Sequence, residues 1–440
     1  MKNTNQVRIR ALTAVDVPYM KNSEPSSTMN RREFMKSMVM VAGTAMTSFP
    51  LVSLAGNPIR IGVLLPESRI YPDLGKNWLA GARLALKRAD KGACRRIVLI
   101  PQSTGFTTGA TARRIKVFLE DGVKLVTGMI SPGLAVGLQD HFTENRAFLL
   151  MSSLGANVST PAIDSPFIFR HTLNTWQAAW SLGNWAARTL GRRAMIISSF
   201  YESGFDSLRA FSLGFEGGKG RILESIVTDK PIAERDLLES ALCNIRYRRP
   251  DVVYAAYCGP AASDFFRAYD EAGLTGKVAL LGTGMLTDEY FLGARCRAAL
   301  DIRTGFAWSR EMHSPGSISF AAAFRRPTGR TADPFALLGY ETVLLILNAL
   351  KSRGANPQNA KAFTRALSRV EVHSPRGRLC MDPASRTTFG PVYAFRVRSD
   401  GMGLRSEVVT RLGCLAELDK RVEKLRSGTR SGWINMYLTV

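Results

Sequence analysis

The chain has 440 residues, 45% hydrophobic and 22% charged, enough for two or three domains with sizeable cores and too apolar for wholesale disorder. Its formal net charge is +23; residues 1–55 hold seven basic and three acidic side chains, which leaves +19 on residues 56–440. Such a field attracts nucleic acid, anionic lipid or an anionic solute. The basic residues, however, stand mostly singly or in pairs (Arg95–Arg96, Arg192–Arg193, Arg325–Arg326) without an aromatic-interleaved stripe, which favours solvated helix faces over nucleic-acid binding.

In chain order, the first organised segment is the N-terminus. Arg31 and Arg32 precede Glu33-Phe34-Met35-Lys36, then a weakly apolar stretch from Ser37 to Leu54 and a small-residue exit, Ser53-Leu54-Ala55. A basic region, an apolar region and a small-residue exit predict an export signal over residues 1–55, and the paired arginines before Phe and Lys resemble the twin-arginine class. Gly43, two threonines and Pro50 break the stretch too often for a bilayer-spanning helix. The long stretch ahead of it leaves either Met1 or Met29 as the start.

From Pro58 onward, short apolar runs alternate with amphipathic stretches. Ile59–Leu65 reads as a buried strand ended by Pro66, and Leu79, Ala82, Leu86 and Ala89 mark one face of the next helix. Strands follow at 97–100, 125–128 and 147–151, with a helix at 110–121. After Arg170 the series begins again: helices at 176–190, 206–217, 234–245 and 261–272 alternate with strands at 194–199, 221–227, 251–256 and 278–281. Two series of βα units predict two similar parallel-sheet lobes. Residues 334–370 supply two more helices, and 376–397 a hairpin-like apolar pair around Gly390-Pro391. Residues 413–427 read as a charged helix.

No catalytic or metal motif appears. The Gly-Lys pairs at 75, 218 and 276 lack the upstream glycine of a phosphate loop, Thr287 replaces the last glycine of a dinucleotide fingerprint begun by Gly282, and there is neither HExxH nor GxSxG. Six cysteines (94, 243, 258, 296, 380, 414) show no framework spacing, and a buried thiol is the simpler reading for those in apolar runs. Four scattered histidines lack ligand spacing. What the strand ends do carry is small and polar: Ser131, Met151-Ser152-Ser153-Leu154-Gly155, Tyr201-Glu202-Ser203-Gly204, Tyr257-Cys258-Gly259 and Gly282-Thr283-Gly284. Open α/β sheets bind ligands at the carboxyl ends of their strands, where hydroxyls and loop N–H groups hold a carboxylate or amide.

Taken together, these segments resemble the type 1 periplasmic binding proteins, in their leucine/isoleucine/valine-binding branch. The resemblance rests on Ile59–Leu65, Gly75, Gly81-Ala82-Arg83-Leu84-Ala85, Gly122–Ser131, Ala147–Ser153, Phe167–Arg170, Asp251–Pro260, Gly339-Tyr340-Glu341-Thr342 and Pro375-Arg376-Gly377, and spans residues 57–400. It implies an α/β fold of two Rossmann-like lobes joined by three hinge crossovers: 57–172 plus 309–372, and 173–308 plus 373–410, with 411–440 as a C-terminal helix and tail. It also implies capture of a small molecule and its delivery to an ABC permease of the inner membrane, without enzymatic chemistry, cofactor or metal. The branch's ligand serines fall at Ser131 and Ser152, beside Ser153 and Gly155; in the second lobe its Tyr-Gly falls at Ser203-Gly204, its paired tyrosines at Cys258-Gly259 with Tyr257 one step away, and its acid at Gly284. The carboxylate-gripping threonine is replaced by Ala156 and the ammonium-pairing acid by Gly284, so a neutral or acidic solute is expected rather than an ordinary α-amino acid. The alternatives are a periplasmic sensor domain on the same fold and an exported α/β enzyme.

Overall fold

The computed structural model describes residues 58–89, 97–105, 107–129, 131–154, 163–199, 202–228, 235–288, 297–399 and 403–414. Strands β1 (Ile59–Leu65), β2 (Ile97–Ser103), β3 (Leu125–Met129), β4 (Phe148–Ser153) and β5 (Ile168–Thr172) pair in parallel in the order β2-β1-β3-β4-β5. Strands β6 (Arg193–Ser199), β7 (Arg221–Thr228), β8 (Val252–Ala256), β9 (Ala279–Thr283) and β10 (Arg303–Phe306) repeat it as β7-β6-β8-β9-β10. The two series of the sequence are thus two doubly wound lobes. Strands β3, β4, β5 and β8 are buried at every position, which is why they read as continuous apolar runs rather than alternating ones.

Each sheet is sandwiched by helices. In the first lobe α1 (Leu74–Arg88), α8 (Pro315–Thr328) and α9 (Pro334–Leu350) cover one face, and α2 (Thr108–Glu120) and α3 (Pro132–Glu144) the other. In the second, α4 (Thr175–Thr189) and α5 (Glu202–Gly217) lie opposite α6 (Arg235–Arg248) and α7 (Pro260–Glu271). A shorter helix, α10 (Ala360–Leu367), closes the first lobe. Helices α3, α8 and α9 start alike: a serine or aspartate (Ser131, Ser314, Asp333) accepts a hydrogen bond from a first-turn amide, and proline follows at once.

The sequence leaves out α3, α8 and β10, and it sets the apolar face of α1 off centre. Leu74, Asn77, Trp78, Gly81, Ala82, Leu84 and Ala85 are buried; of the expected face Ala82 is among them, while Leu79 and Leu86 pack half-buried at the edge of the core. The reason is a close crossing with α9. A Cβ on Gly81 would collide with Ala336 O, and one on Gly339 with Trp78 O, so the two backbones touch where glycines face each other. The second lobe repeats the device at Gly183 and Gly214, against Phe211 O and Trp180 O.

The chain crosses between sheets three times: from β5 into α4, from β10 into α8, and at Gly390. The last crossing corrects an expected boundary at residue 373. Strands β11 (Glu371–Ser374), β12 (Gly377–Asp382) and β13 (Thr387–Phe389) extend the first sheet beside β5; β14 (Pro391–Ser399) and β15 (Leu404–Cys414) extend the second beside β10. The apolar pair around Gly390 is therefore no hairpin, and β14 pairs with β15 instead. Residues 411–414, expected to open the C-terminal helix and tail, complete β15; residues 415–440 lie outside the described residues. Arg376 explains why 371–389 stays with the first lobe. Fully buried, it donates from Nε to Glu341 Oε1 (3.0 Å) and Oε2 (3.2 Å), and from Nη2 to Thr172 O (2.9 Å). His171 Nε2 stands 3.0 Å from Glu341 Oε2, its Nδ1 3.0 Å from Thr388 Oγ1, and Asn174 Nδ2 donates to Thr388 O at 2.9 Å. This buried cluster ties together α9, the turn before β12, β13 and the first crossover.

Candidate functional site

Between the lobes lies a cavity of about 460 Å³, within the usual size for a small-molecule site. The first lobe contributes the loop and first turn of α1 (Tyr71, Leu74, Asn77) and the loop and first turn of α9 (Arg330, Asp333, Phe335). The second contributes the turn after β9 (Gly284–Thr287), Phe306 at the end of β10 and Phe395 of β14, and Trp308 of the second crossover closes the wall. The lining is strongly aromatic. Tyr71 packs edge-on against Phe335 with centroids 5.2 Å apart, and Trp308 is fixed by its Nε1–H donating to Ser317 Oγ at 2.9 Å.

The charged groups around the cavity are unequally satisfied. Asp73 pairs with Lys76 at 3.2 Å, and Arg310 with Glu311 at 3.2 Å. Asp333 caps α9 by accepting from Ala336 N (2.7 Å) and accepts from Asn77 Nδ2 (2.7 Å); burial, with the nearby Asp288 charge, nevertheless raises its carboxyl to about 6. The guanidinium of Arg330 has no acceptor among the described residues, and its Nε is buried. A buried guanidinium edge without a partner is costly, and an anion entering the cavity would supply one.

Among the described residues expected to hold ligand, Gly284 alone lines this cavity. A Cβ there would run into the Phe306 ring, so the position of the branch's acid is filled by an aromatic side chain reaching over from β10. Ser131 lies two residues beyond the end of β3 as the N-cap of α3, its Oγ accepting from Leu134 N at 3.2 Å. Ser152 is fully buried and engaged, accepting from Trp78 Nε1 (3.0 Å) and Thr342 Oγ1 (3.2 Å), so it joins β4 to α1 and α9. Its neighbour Ser153, the last residue of β4, keeps a buried hydroxyl without a partner among the described residues. Tyr257 is buried, stacked on Phe265 with centroids 5.0 Å apart, and its phenol meets Thr228 Oγ1 at 3.2 Å; burial raises its pKa far above the ordinary value. Ser203 lies in the first turn of α5, with its side chain outside those described; Gly155, Arg31 and Arg32 lie outside the described residues. Sequence reasoning missed Tyr71, Phe306, Trp308 and Arg330. A local signal that the sequence reading did not use is the Asp333-Pro334 pair, the pattern of a helix start, which borders this loop.

Cys243, on α6, is an exposed free thiol, and Cys258 and Cys380 are half-buried. Among the described residues no group of three His, Cys, Asp or Glu side chains is arranged to hold a metal ion, and no helix is long and apolar enough to cross a membrane.

Against known proteins, the chain is 26% identical over 386 residues to the Leu/Ile/Val-binding protein homolog 6 of Brucella abortus (strain 2308), a match covering 85% of this chain and 97% of that protein. Its fold is similar to an ABC transporter substrate-binding protein from Sphaerobacter thermophilus (TM-score 0.73, 26% identity, 81% of this chain and 98% of the other). It is similar as well to a solute binding protein of an ABC transporter from Rhodopseudomonas palustris BisB5 in complex with 3,4-dihydroxybenzoic acid (TM-score 0.70, 23%, 80% and 97%). Another R. palustris solute binding protein of an ABC transporter, in complex with benzoate, superposes with a TM-score of 0.68 at 22% identity, covering 81% and 97%. The sequence profile that describes periplasmic binding proteins matches residues 58–402, spanning both lobes and all three crossovers, and the chain belongs to that family.

Proposed function

We propose that the chain is an exported solute-binding protein that closes its two lobes on a small apolar carboxylate, aromatic in the favoured case, and presents it to an ABC-type permease of the inner membrane. It performs no chemistry of its own. The observation that carries the ligand class is the interlobe cavity: aromatic walls from both lobes, and Arg330 without an acceptor. Aromatic side chains bury a ring, and a guanidinium holds a carboxylate in a forked pair. An α-amino acid fits less well. Phe306 occupies the space beside Gly284, and two of the cavity's carboxylates, Asp73 and Asp333, are already engaged. Similar folds that hold benzoate and 3,4-dihydroxybenzoic acid support the same class. Ser131, Ser153, Gly155 and Ser203, at the carboxyl ends of strands, are proposed to reach the ligand when the lobes close; Ser152 and Tyr257 position the walls behind them.

The test is calorimetric titration and thermal unfolding against benzoate, its hydroxylated forms, leucine and glutamine. Saturable binding of the carboxylates, weakened about 10- to 100-fold by Arg330→Gln, is the expected result, since a hydrogen bond to a charged group contributes about 1.5–3 kcal/mol. Binding of leucine in preference to benzoate would sink the ligand class; no binding by any compound would sink the cavity reading. Periplasmic location and the twin-arginine route are proposed from residues 1–55, and Arg31→Lys with Arg32→Lys is expected to leave the precursor in the cytoplasm on cell fractionation.

A further inference from the structure

We infer that the end of the second lobe remote from the cavity is a docking surface for an anionic lipid bilayer. Three turns meet there, at the amino ends of β6, β7 and β8. Arg192 N and Arg193 N both donate to Asp251 Oδ2 (2.8 and 2.9 Å), and Arg221 N donates to Arg192 O (2.7 Å). Arg192 Nη1 donates to Gly218 O (2.6 Å) and Arg193 Nη2 to Arg248 O (2.7 Å). These bonds fold residues 190–193, 217–221 and 246–251 into one pole.

A basic pole has an ordinary explanation, because helices α4, α5 and α6 end there and cations satisfy their last carbonyls. That explanation accounts for Arg192 and Arg193, which make such bonds, and Arg248 is spoken for by Glu224 at 3.0 Å. It does not account for Lys219, Arg221 and Arg249, which, like Arg246 in the last turn of α6, are exposed and have no side-chain partner among the described residues. One further observation points outward. Tyr247, between Arg246 and Arg248, is 86% exposed, more than any other large apolar side chain among the described residues.

Unpaired cations around an exposed tyrosine match an anionic leaflet: the cations meet the headgroup charge, and the amphipathic ring sits at headgroup level. The pole lies at the amino ends of the strands, whereas the cavity lies at their carboxyl ends. A bilayer held at the pole therefore leaves the cavity free to open and close.

The experiment is co-sedimentation of the full chain with phosphatidylcholine vesicles, with and without phosphatidylglycerol. Each cation near an anionic leaflet multiplies partitioning roughly fivefold, so Arg246→Glu with Arg249→Glu should lower binding to the anionic vesicles by about 25-fold or more. Tyr247→Ser should cost a few-fold, and added salt should weaken binding of the unaltered protein. The control is Arg113→Glu with Arg365→Glu, the same charge change on exposed positions of α2 and α10 in the first lobe. Near-unaltered binding by the control supports the pole; equal losses in both double variants, or no preference for phosphatidylglycerol, overturn it. Should the double glutamate variant fail to fold, Arg246→Gln with Arg249→Gln gives the same comparison with a smaller loss.

Discussion

Arg376, Glu341 and His171 are all fully buried, yet they join three segments that the sequence separates by up to 205 residues. Burial by itself would raise the Glu341 carboxyl, but the Arg376 guanidinium and the His171 hydrogen bond overcome it and hold the group at about 2. Removing one partner leaves an uncompensated buried charge. Arg376→Met is therefore expected to lower unfolding stability by about 3–5 kcal/mol in urea titration, and pairing it with Glu341→Leu should recover part of the loss. Burial also drives His171 below its ordinary 6.5, against the pull of Glu341. The unfolded chain then binds the histidine proton before the native protein does, so stability falls as pH drops below 6.5. His171→Gln should flatten the dependence of the unfolding midpoint between neutral and mildly acidic pH; an unchanged slope would assign it to other groups.

At the scale of elements, the crossing of α1 with α9 sets the near wall of the cavity, because Asn77 and Asp333 sit on the first turns of the two helices and bond to each other at 2.7 Å. Gly81→Ala would force those helices apart. Overpacking of this kind costs about 1–3 kcal/mol, and here the same shift should also separate Asn77 from Asp333. The expected outcome is a lower unfolding midpoint together with weaker binding of benzoate, read in one thermal series with and without ligand. Loss of stability with binding unaltered would show that the wall does not depend on the crossing. Restoring a counter-charge by Gly284→Glu alone is blocked by Phe306, so a change of ligand range toward amino acids is expected only with Phe306→Ala added.

For the whole molecule, ligand capture and lobe closure draw on one free energy. A ligand at 100 times its dissociation constant raises stability by about 2.7 kcal/mol if it binds only the folded chain. Asp333 makes this pH-dependent. Its carboxyl titrates near 6 inside the cavity, and an anion beside it favours the protonated form. Binding of a carboxylate should therefore take up a proton, and affinity should weaken as pH rises through 6 and level off above it. Asp333→Asn should remove most of that dependence in titrations run across the range, and a pH-independent affinity in the unaltered protein would place the anion elsewhere.

How much of this was legible follows from distance along the chain. Local sequence determined the alternation of strands and helices, because each βα unit writes its own period: the first strand, Ile59–Leu65, coincides with its sequence range, and the two series are the two lobes. Helix α3 was lost because Gly133 and Gly137 weaken its apolar stripe. The crossover at Gly390 was misplaced because a buried arginine, invisible as such in sequence, holds 371–389 on the first lobe. The strand-end residues were recognisable as a group, but which of them lines the cavity depends on contacts between segments far apart. Ser152 is engaged by Trp78 and Thr342, while Phe306 joins Tyr71 and Arg330 only across the lobes. Arg192–Arg193, which read as an isolated pair, likewise comes to stand beside Lys219, Arg221, Arg246 and Arg249 only when three turns fold together. Periodicity and turn chemistry are short-range and so reside in the sequence; the cavity and the charged surface arise from packing between distant segments, which tertiary structure alone decides.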